Sequence, residues 1–339
     1  MTQTIGTDRQ ATAAEAVLEV RDLSVDFGVD KKWVPAAIGL NYTVHAGEVL
    51  AIVGESGSGK SVSSMAILDL LPKNARISGS IKLQGQELRG LGASKMRDIR
   101  GNDIAMIFQE PMTALNPVYT VGSQIVEALR LHNEISPDEA KERALELLRL
   151  VELPDPQKAF NSYPHQLSGG QRQRAMIAQS LSCKPQLLIA DEPTTALDVT
   201  IQAQIMQLLR ELQAEIGMSV ILISHDLGLV AEFVERVIVM YAGHIVEEAA
   251  AADLFERPLH PYTEGLLHAI PNLDDDAPRL AAIPGNIPAG GAWPRGCRFG
   301  PRCALARPEC LAAPVPLETL RDGRLLRCPP RRAASEARA

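Results

Sequence analysis

The chain lacks a basic excess. Its 339 residues carry 34 Lys and Arg against 41 Asp and Glu, a formal net charge of −7, and the isoelectric point is near 5.6. A general nucleic-acid binder presents a basic face, so the acidic balance argues against that class of partner. No apolar run approaches the roughly 18–20 residues that cross a bilayer. The longest candidates, VILI and RVIVMY, suit buried strands instead. The opening MTQTIGTDRQATAAEAVLEV has no basic-then-apolar signal pattern. The chain is therefore expected to stay in the cytosol and to meet a membrane only through a partner. Cysteines are also scarce: there are five, four of them in the last 43 residues. In a reducing cytosol that clustering points to a metal or cluster site before a disulfide frame. Internal repeats and low-complexity tracts are missing too.

What is present is a large apolar fraction, 46%, enough for a full core in one large domain or two modest ones. After a disordered start, VLEVRDLSVDF alternates as a strand, and IGLNYTVHAGEVLAIVG continues with strand-like runs. KSVSSMAILDLL has helical spacing until Pro72. ISGSIKLQGQEL is expected to be a short hairpin with turns at Ser78-Gly79 and Gln84-Gly85. DIAMIFQ, QLLIADE and SVILISH are buried strands, and a helical block fills the stretch from Gln109 to Gln186. Largely apolar strands alternating with helices predict a parallel sheet covered on both faces. From about Ala249 periodicity fades, Pro and Gly become frequent, and nine arginines face three acids between Arg295 and Arg332. That stretch reads as a separate appendage.

GESGSGKS, Gly54 to Ser61, fits G-x-x-x-x-G-K-[ST] between a strand and a helix. Backbone N–H groups of Gly54, Glu55, Ser56, Gly57, Ser58 and Gly59 can wrap phosphates, Lys60 balances their charge, and Ser61 can hold Mg²⁺. Asp191 and Glu192 close an apolar strand; the first can hold Mg²⁺ and the second can polarise a water. His225 closes another strand, where it can reach the γ-phosphate edge, and Gln109 can sense Mg²⁺ or water. Phe27 or Trp33 can stack on an adenine. A second anion site stands at HQLSGGQRQRAMIAQSL, where bare glycines open a helix.

GESGSGKS, FQ, LSGGQ, LLIADE, ALD and the histidine of ISHD stand here in the order of an ABC-type ATPase, which the chain resembles from about Val17 to Glu248. FQEPMTALNPVYTVG, VMYAG, RPLHPYT and GCRFGPRC are similar to the ATP-binding subunits of dipeptide/oligopeptide importers. The resemblance implies an α/β P-loop fold: an N-terminal antiparallel β subdomain, a RecA-like parallel core, a helical subdomain at about 110–182 and a small Cys-containing extension at 249–339. Residues 1–16 are expected to be disordered. Two such domains would pack head to tail. Ser168, Gly169, Gly170 and Gln171 would then face the partner's γ-phosphate, with Asp198 reaching across the dimer. By the same resemblance Glu192 is the general base, Gln109 and His225 are γ-phosphate sensors, and Ser61, Gln109 and Asp191 attend Mg²⁺. Glu110 to Val121 is where such importers receive a membrane subunit. The implied assembly holds a second ATPase, a paralogue before a second copy, two permease subunits and, indirectly, an extracytoplasmic peptide-binding protein, all at the inner membrane. The solute stays open between dipeptides, longer peptides and other small solutes.

Two rival classes compete: a soluble ABC ATPase acting on ribosomes or DNA, and a redox or metal sensor whose cysteine tail is the working part. The first usually has paired domains in one chain or a long coiled-coil insert, and neither is present. Cys297, Cys303, Cys310 and Cys328 are spaced C-x5-C-x6-C-x17-C. Zinc sites favour tighter pairs, so a [4Fe–4S] cluster is expected before Zn²⁺, with the arginines offsetting thiolate charge. Cys183 reads as an ordinary core cysteine.

Overall fold

The computed structural model describes residues 15–110, 114–195, 197–269, 283–288 and 293–336. The leading segment 1–14, expected to be disordered, lies outside them, and Ala16 is already in a strand.

Two sheets organise the chain. β1 (Ala16–Val29), β2 (Lys32–His45), β4 (Ala75–Leu83) and β5 (Gln86–Glu87) form an antiparallel sheet in the order β2-β1-β4-β5. Ser78-Gly79 is not the turn expected of it. It lies inside β4, opposite a bulge in β1 between Arg21 and Ser24, where Asp22 takes φ 50 and Gly79 takes φ 95. The real turn is Gln84-Gly85, both at positive φ.

Among the described residues the second sheet has eight strands, in the order β11 (Glu318–Thr319), β12 (Leu325–Leu326), β10 (His244–Ala250), β9 (Arg236–Tyr241), β3 (Val49–Val53), β8 (Ser219–Ser224), β7 (Leu187–Asp191) and β6 (Ile104–Ile107). β3, β6, β7, β8 and β9 run parallel. Each buries nearly every residue because both faces are covered. Along β3, Val49, Ala51 and Val53 enter the core beneath the helices, and Leu50 and Ile52 enter the core shared with the antiparallel sheet.

α1 (Lys60–Ile67) follows β3, and α2 (Ala93–Ile99) precedes β6. The expected helical block is α3 (Val121–His132), α4 (Pro137–Leu150), α5 (Pro156–Asn161) and α6 (Gly169–Ser180). Thr120, Ser136, Asp155 and Ser168 each cap a helix start through the side-chain oxygen. α7 (Val199–Ile216) joins β7 to β8, and α8 (Leu227–Ala231) leads into β9.

The C-terminal stretch is no separate appendage. β10 (His244–Ala250) pairs with β9 on one side and β12 (Leu325–Leu326) on the other, and β11 (Glu318–Thr319) extends the same sheet. α9 (Ala251–Glu256), α10 (Pro261–His268), α11 (Pro308–Ala312) and α12 (Pro329–Glu336) complete the stretch, and α9 packs against β9 and β10. Tyr262 and Phe299 enter the main core edge-on to Tyr241, at ring separations of 4.7 and 5.2 Å. Arg327 fastens the stretch by donating to the carbonyls of Ile245 at 2.8 Å and Val315 at 2.6 Å. Strands of two residues leave no periodicity to read, and arginines bonded to carbonyls look in sequence like solvated charge.

Candidate functional site

The residues expected to touch this chain's own nucleotide phosphates stand at the carboxyl ends of the parallel strands, where open α/β sheets bind ligands. The loop from Gly54 to Gly59 joins β3 to α1. Gly54, Gly57 and Gly59 take φ of 151, 81 and 100, which side chains avoid. A Cβ on Gly54 would also overlap the Met240 carbonyl, and one on Gly59 would sit 2.6 Å from the Ala36 carbonyl. Gly59 caps α1 without a side-chain bond, leaving the first turn of amides available to an anion.

Lys60 is buried, its Nζ donating to the carbonyls of Gly54 at 2.6 Å and Glu55 at 3.1 Å. Burial lowers its pKa, against the pull of Glu192, Asp191 and Glu55. Ser61 Oγ donates to Asp191 Oδ1 at 3.0 Å. Burial pushes Asp191 up to about 6, with Ser61 and Lys60 opposing and Glu192 adding to the rise. The pair expected to hold Mg²⁺ is therefore in contact, though it joins β7 to the helix after β3.

Glu192 follows β7 in the left-handed region, φ 47, its N–H held by the Ile223 carbonyl at 2.9 Å. Three side chains meet one of its oxygens, Oε2: Gln109 Nε2 donates at 2.8 Å, Thr195 Oγ1 donates at 2.9 Å, and His225 Nδ1 lies at 3.2 Å. Glu192, Gln109 and His225 come from three separate strand ends, and the fold brings them together. Thr195 was missed; its only signal was the TT pair that follows Glu192 and Pro193.

Ser168 and Gln171 close a capping box at the start of α6. Ser168 Oγ accepts from the Gln171 N–H at 3.3 Å, and Gln171 Oε1 accepts from the Ser168 N–H at 3.0 Å. Gly169 and Gly170 lie against Leu197 and Ile201, and Asp198 caps α7 through the Ile201 N–H at 3.1 Å. These residues line a surface recess of their own, together with Arg174 and Gln204, and no P-loop residue lines it.

Of the two candidate adenine platforms, Phe27 packs against the core under the antiparallel sheet. Trp33 is 51% exposed, with the Arg76 guanidinium 4.6 Å from its ring centre. Cys183 is half-buried beside Asn133 and the Ala128 carbonyl, and burial raises its thiol pKa.

Cys297, Cys303, Cys310 and Cys328 are free thiols that line one small apolar pocket with His260 and Phe299. Burial raises Cys297 and Cys303 and pushes Cys328 up to about 11, neighbouring cysteines adding to each. Among the described residues, no group of three or more His, Cys, Asp or Glu side chains could hold a metal ion as it stands. The side-chain arrangement thus gives the expected iron–sulfur and zinc centres no ready ligand set.

Comparison with known proteins agrees with this geometry. The family pattern described as ABC transporter matches residues 38–195, and the one described as oligopeptide/dipeptide transporter, C-terminal region, matches 246–310. The dipeptide transport ATP-binding protein DppD of Haemophilus influenzae is 54% identical, over 87% of this chain and 90% of its own length. The oligopeptide transport ATP-binding protein OppD of Salmonella typhimurium is 50% identical, over 93% and 94%. Among solved structures, the ATP-binding cassette MJ0796, a dimer in a post-hydrolysis state with ADP and Pi, matches with a TM-score of 0.62 at 30% identity, covering 69% of this chain and 98% of that one. The cbiO1 protein of Clostridium perfringens matches with a TM-score of 0.61 at 28% identity, covering 72% and 92%. The chain belongs to the ABC transporter ATPases, in the branch that carries the oligopeptide/dipeptide C-terminal region.

Proposed function

We propose that this chain is the ATP-hydrolysing subunit of a peptide importer, working head to tail with a second ATPase domain, a paralogue, beneath two permease subunits. The observation that carries the reading is the meeting of Gln109, Thr195 and His225 on one carboxylate oxygen of Glu192, next to a P-loop whose Ser61 is bonded to Asp191. That is one acceptor for a proton, held by neighbours that can also bind a phosphoryl oxygen. ATP lies along Gly54 to Ser61, with Phe27 or Trp33 against the base. Lys60 leaves its loop carbonyls for the phosphates. Asp191, Ser61 and Gln109 would hold Mg²⁺, which when bound withdraws charge from the phosphates. Glu192 takes the proton of the attacking water, while His225 and Gln109 position the γ-phosphate. Ser168 to Gln171 and Asp198, in their separate recess, serve the partner's nucleotide.

Among the described residues no helix is long and apolar enough to cross a membrane, so the permeases would hold the chain at the inner face of the membrane. Part of the docking segment, residues 111–113, lies outside the described residues; beside it Val118 and Tyr119 are exposed, as a docking surface requires. Peptides are favoured over other solutes because the relatives are named for dipeptide and oligopeptide transport. An extracytoplasmic binding protein would deliver them. The test is co-purification with the permeases and the second ATPase, then peptide-dependent ATP hydrolysis in proteoliposomes. Hydrolysis indifferent to permeases and peptide, but stimulated by ribosomes or DNA, would overturn the reading.

For the tail, a [4Fe–4S] cluster takes four cysteine thiolates; the four thiols border one pocket, and binding the cluster would require their side chains to turn toward a common centre. It would crosslink a stretch with little core of its own. Anaerobic purification should give a brown protein absorbing near ~400 nm with about four irons per chain. One zinc in colourless protein would favour Zn²⁺, and metal-free protein of full stability and activity would discard both.

A further inference from the structure

A carboxylate in a phosphate cradle is out of place, and Glu55 supplies one in the second position of the P-loop. Its charge does not face the hollow alone. Arg302 clamps it with two parallel bonds, Nη1 to Oε2 at 2.7 Å and Nη2 to Oε1 at 3.0 Å. These residues are 247 apart in the chain, and the Arg302 side chain is only 5% exposed. Arg302 is itself braced. Nε donates to the Pro284 carbonyl at 2.8 Å, Nη2 reaches the Ile283 carbonyl at 3.3 Å, and Nη1 reaches Tyr241 Oη at 3.4 Å.

More of the C-terminal region holds the same loop. The Glu55 N–H donates to Tyr262 Oη at 2.7 Å, from the start of α10. Gly243 N–H donates to the Ser58 carbonyl at 2.8 Å, and Arg298 donates to the neighbouring Ala242 carbonyl while stacking on Trp293. Tyr262 belongs to RPLHPYT, and Arg298 and Arg302 belong to GCRFGPRC. Those two motifs have no part in the hydrolytic cluster around Glu192, yet both end on the P-loop.

We propose that Arg302 is a positioning residue for nucleotide binding: through its paired bonds it cancels the charge of Glu55 and fixes the P-loop in its phosphate-ready shape. The C-terminal region thereby sets ATP affinity. This rests on the reading of Gly54 to Ser61 as the ATP cradle. Without Arg302, a bare carboxylate would stand beside the triphosphate and compete with it for Lys60, which already senses Glu55.

The decisive experiment is a rescue. Affinity for a non-hydrolysable ATP analogue with Mg²⁺ is measured by calorimetry on the full chain, with thermal unfolding of each nucleotide-free variant alongside. Arg302→Met should weaken binding about tenfold, a loss in keeping with one charged pair. Glu55→Gln supplies the second background of the cycle: its amide still accepts from Arg302 and carries no charge, and its own affinity is the reference for the double variant. Glu55→Gln combined with Arg302→Met should recover most of the lost affinity, even though the double variant unfolds no later than Arg302→Met. A purely structural Arg302 would weaken binding equally in both backgrounds, and that result, or no weakening at all, overturns the proposal. If Arg302→Met does not fold, Arg302→Gln runs the same cycle with one amide donor kept and the charge removed. Lys60→Ala is the control. Parent-like affinity there would overturn the P-loop reading itself, whereas lost binding there with a failed rescue overturns only the role of Arg302.

Discussion

Gln109 Nε2 donates to Glu192 Oε2 at 2.8 Å across 83 residues of chain. The bond joins the segment that leaves β6 to the residue that follows β7, so this carboxylate is held from a neighbouring strand end.

Replacing that carboxylate separates binding from turnover. Glu192→Gln keeps the shape and the contacts with Thr195 and Gln109 but cannot take a proton. Nucleotide affinity should be unchanged, and hydrolysis should fall by about 10²–10⁴, the usual worth of a general base. Steady-state phosphate release beside equilibrium binding checks both; near-parental hydrolysis would place the base elsewhere.

Ser168→Arg tests the separate recess. The substitution removes the α6 cap, about 1 kcal/mol of local stability, and puts bulk and charge where a partner's γ-phosphate would lie. Hydrolysis at the site built on the partner's P-loop should stop, while ATP binding to this isolated chain should persist. Loss of binding by the isolated chain would refute the head-to-tail arrangement.

Legibility followed the physics of each element. Strands buried on both faces announce themselves as apolar runs, so β3, β6, β7, β8 and β9 were readable, as was the helical block between β6 and β7. Glu192, Gln109 and His225 were readable as site candidates because each ends such a run. Ser78-Gly79 misled because a glycine at positive φ serves a bulge as well as a turn. The C-terminal docking was illegible for another reason. Arg302 and Tyr262 act on a loop far away in the chain, and no local pattern marks a residue whose partner is remote.

Gly59→Ala should cripple the cradle. At φ 100 any side chain is strained, and the added Cβ would press on the Ala36 carbonyl at 2.6 Å, a backbone atom that cannot swing aside. Such strain costs about 1–3 kcal/mol. Nucleotide affinity and the denaturation midpoint should both fall, and a variant parental in both would show that the loop tolerates another shape.

His260 is 1% exposed, and its Nδ1 accepts the Tyr262 N–H at 3.1 Å, which requires a neutral ring. Burial, with some repulsion from Arg327, holds its pKa down to about 3; burial, then Arg298 and Arg327, does the same for His244. In the unfolded chain both titrate near about 6.5. Between these values the unfolded state binds more protons, so their contribution to stability is present above the unfolded value and is lost as pH falls toward the folded one. Asp191 and Glu247 act in the opposite sense, because burial raises both. The whole-protein profile therefore mixes signs, and a difference between variants isolates the histidine. His260→Asn keeps a side-chain oxygen for the Tyr262 N–H but does not titrate. It should be less stable than the parent at neutral pH because packing is lost, and the gap should close as pH drops from about 7 to about 4. Urea unfolding across that range measures it. Parallel profiles would mean that His260 takes a proton as readily folded as unfolded.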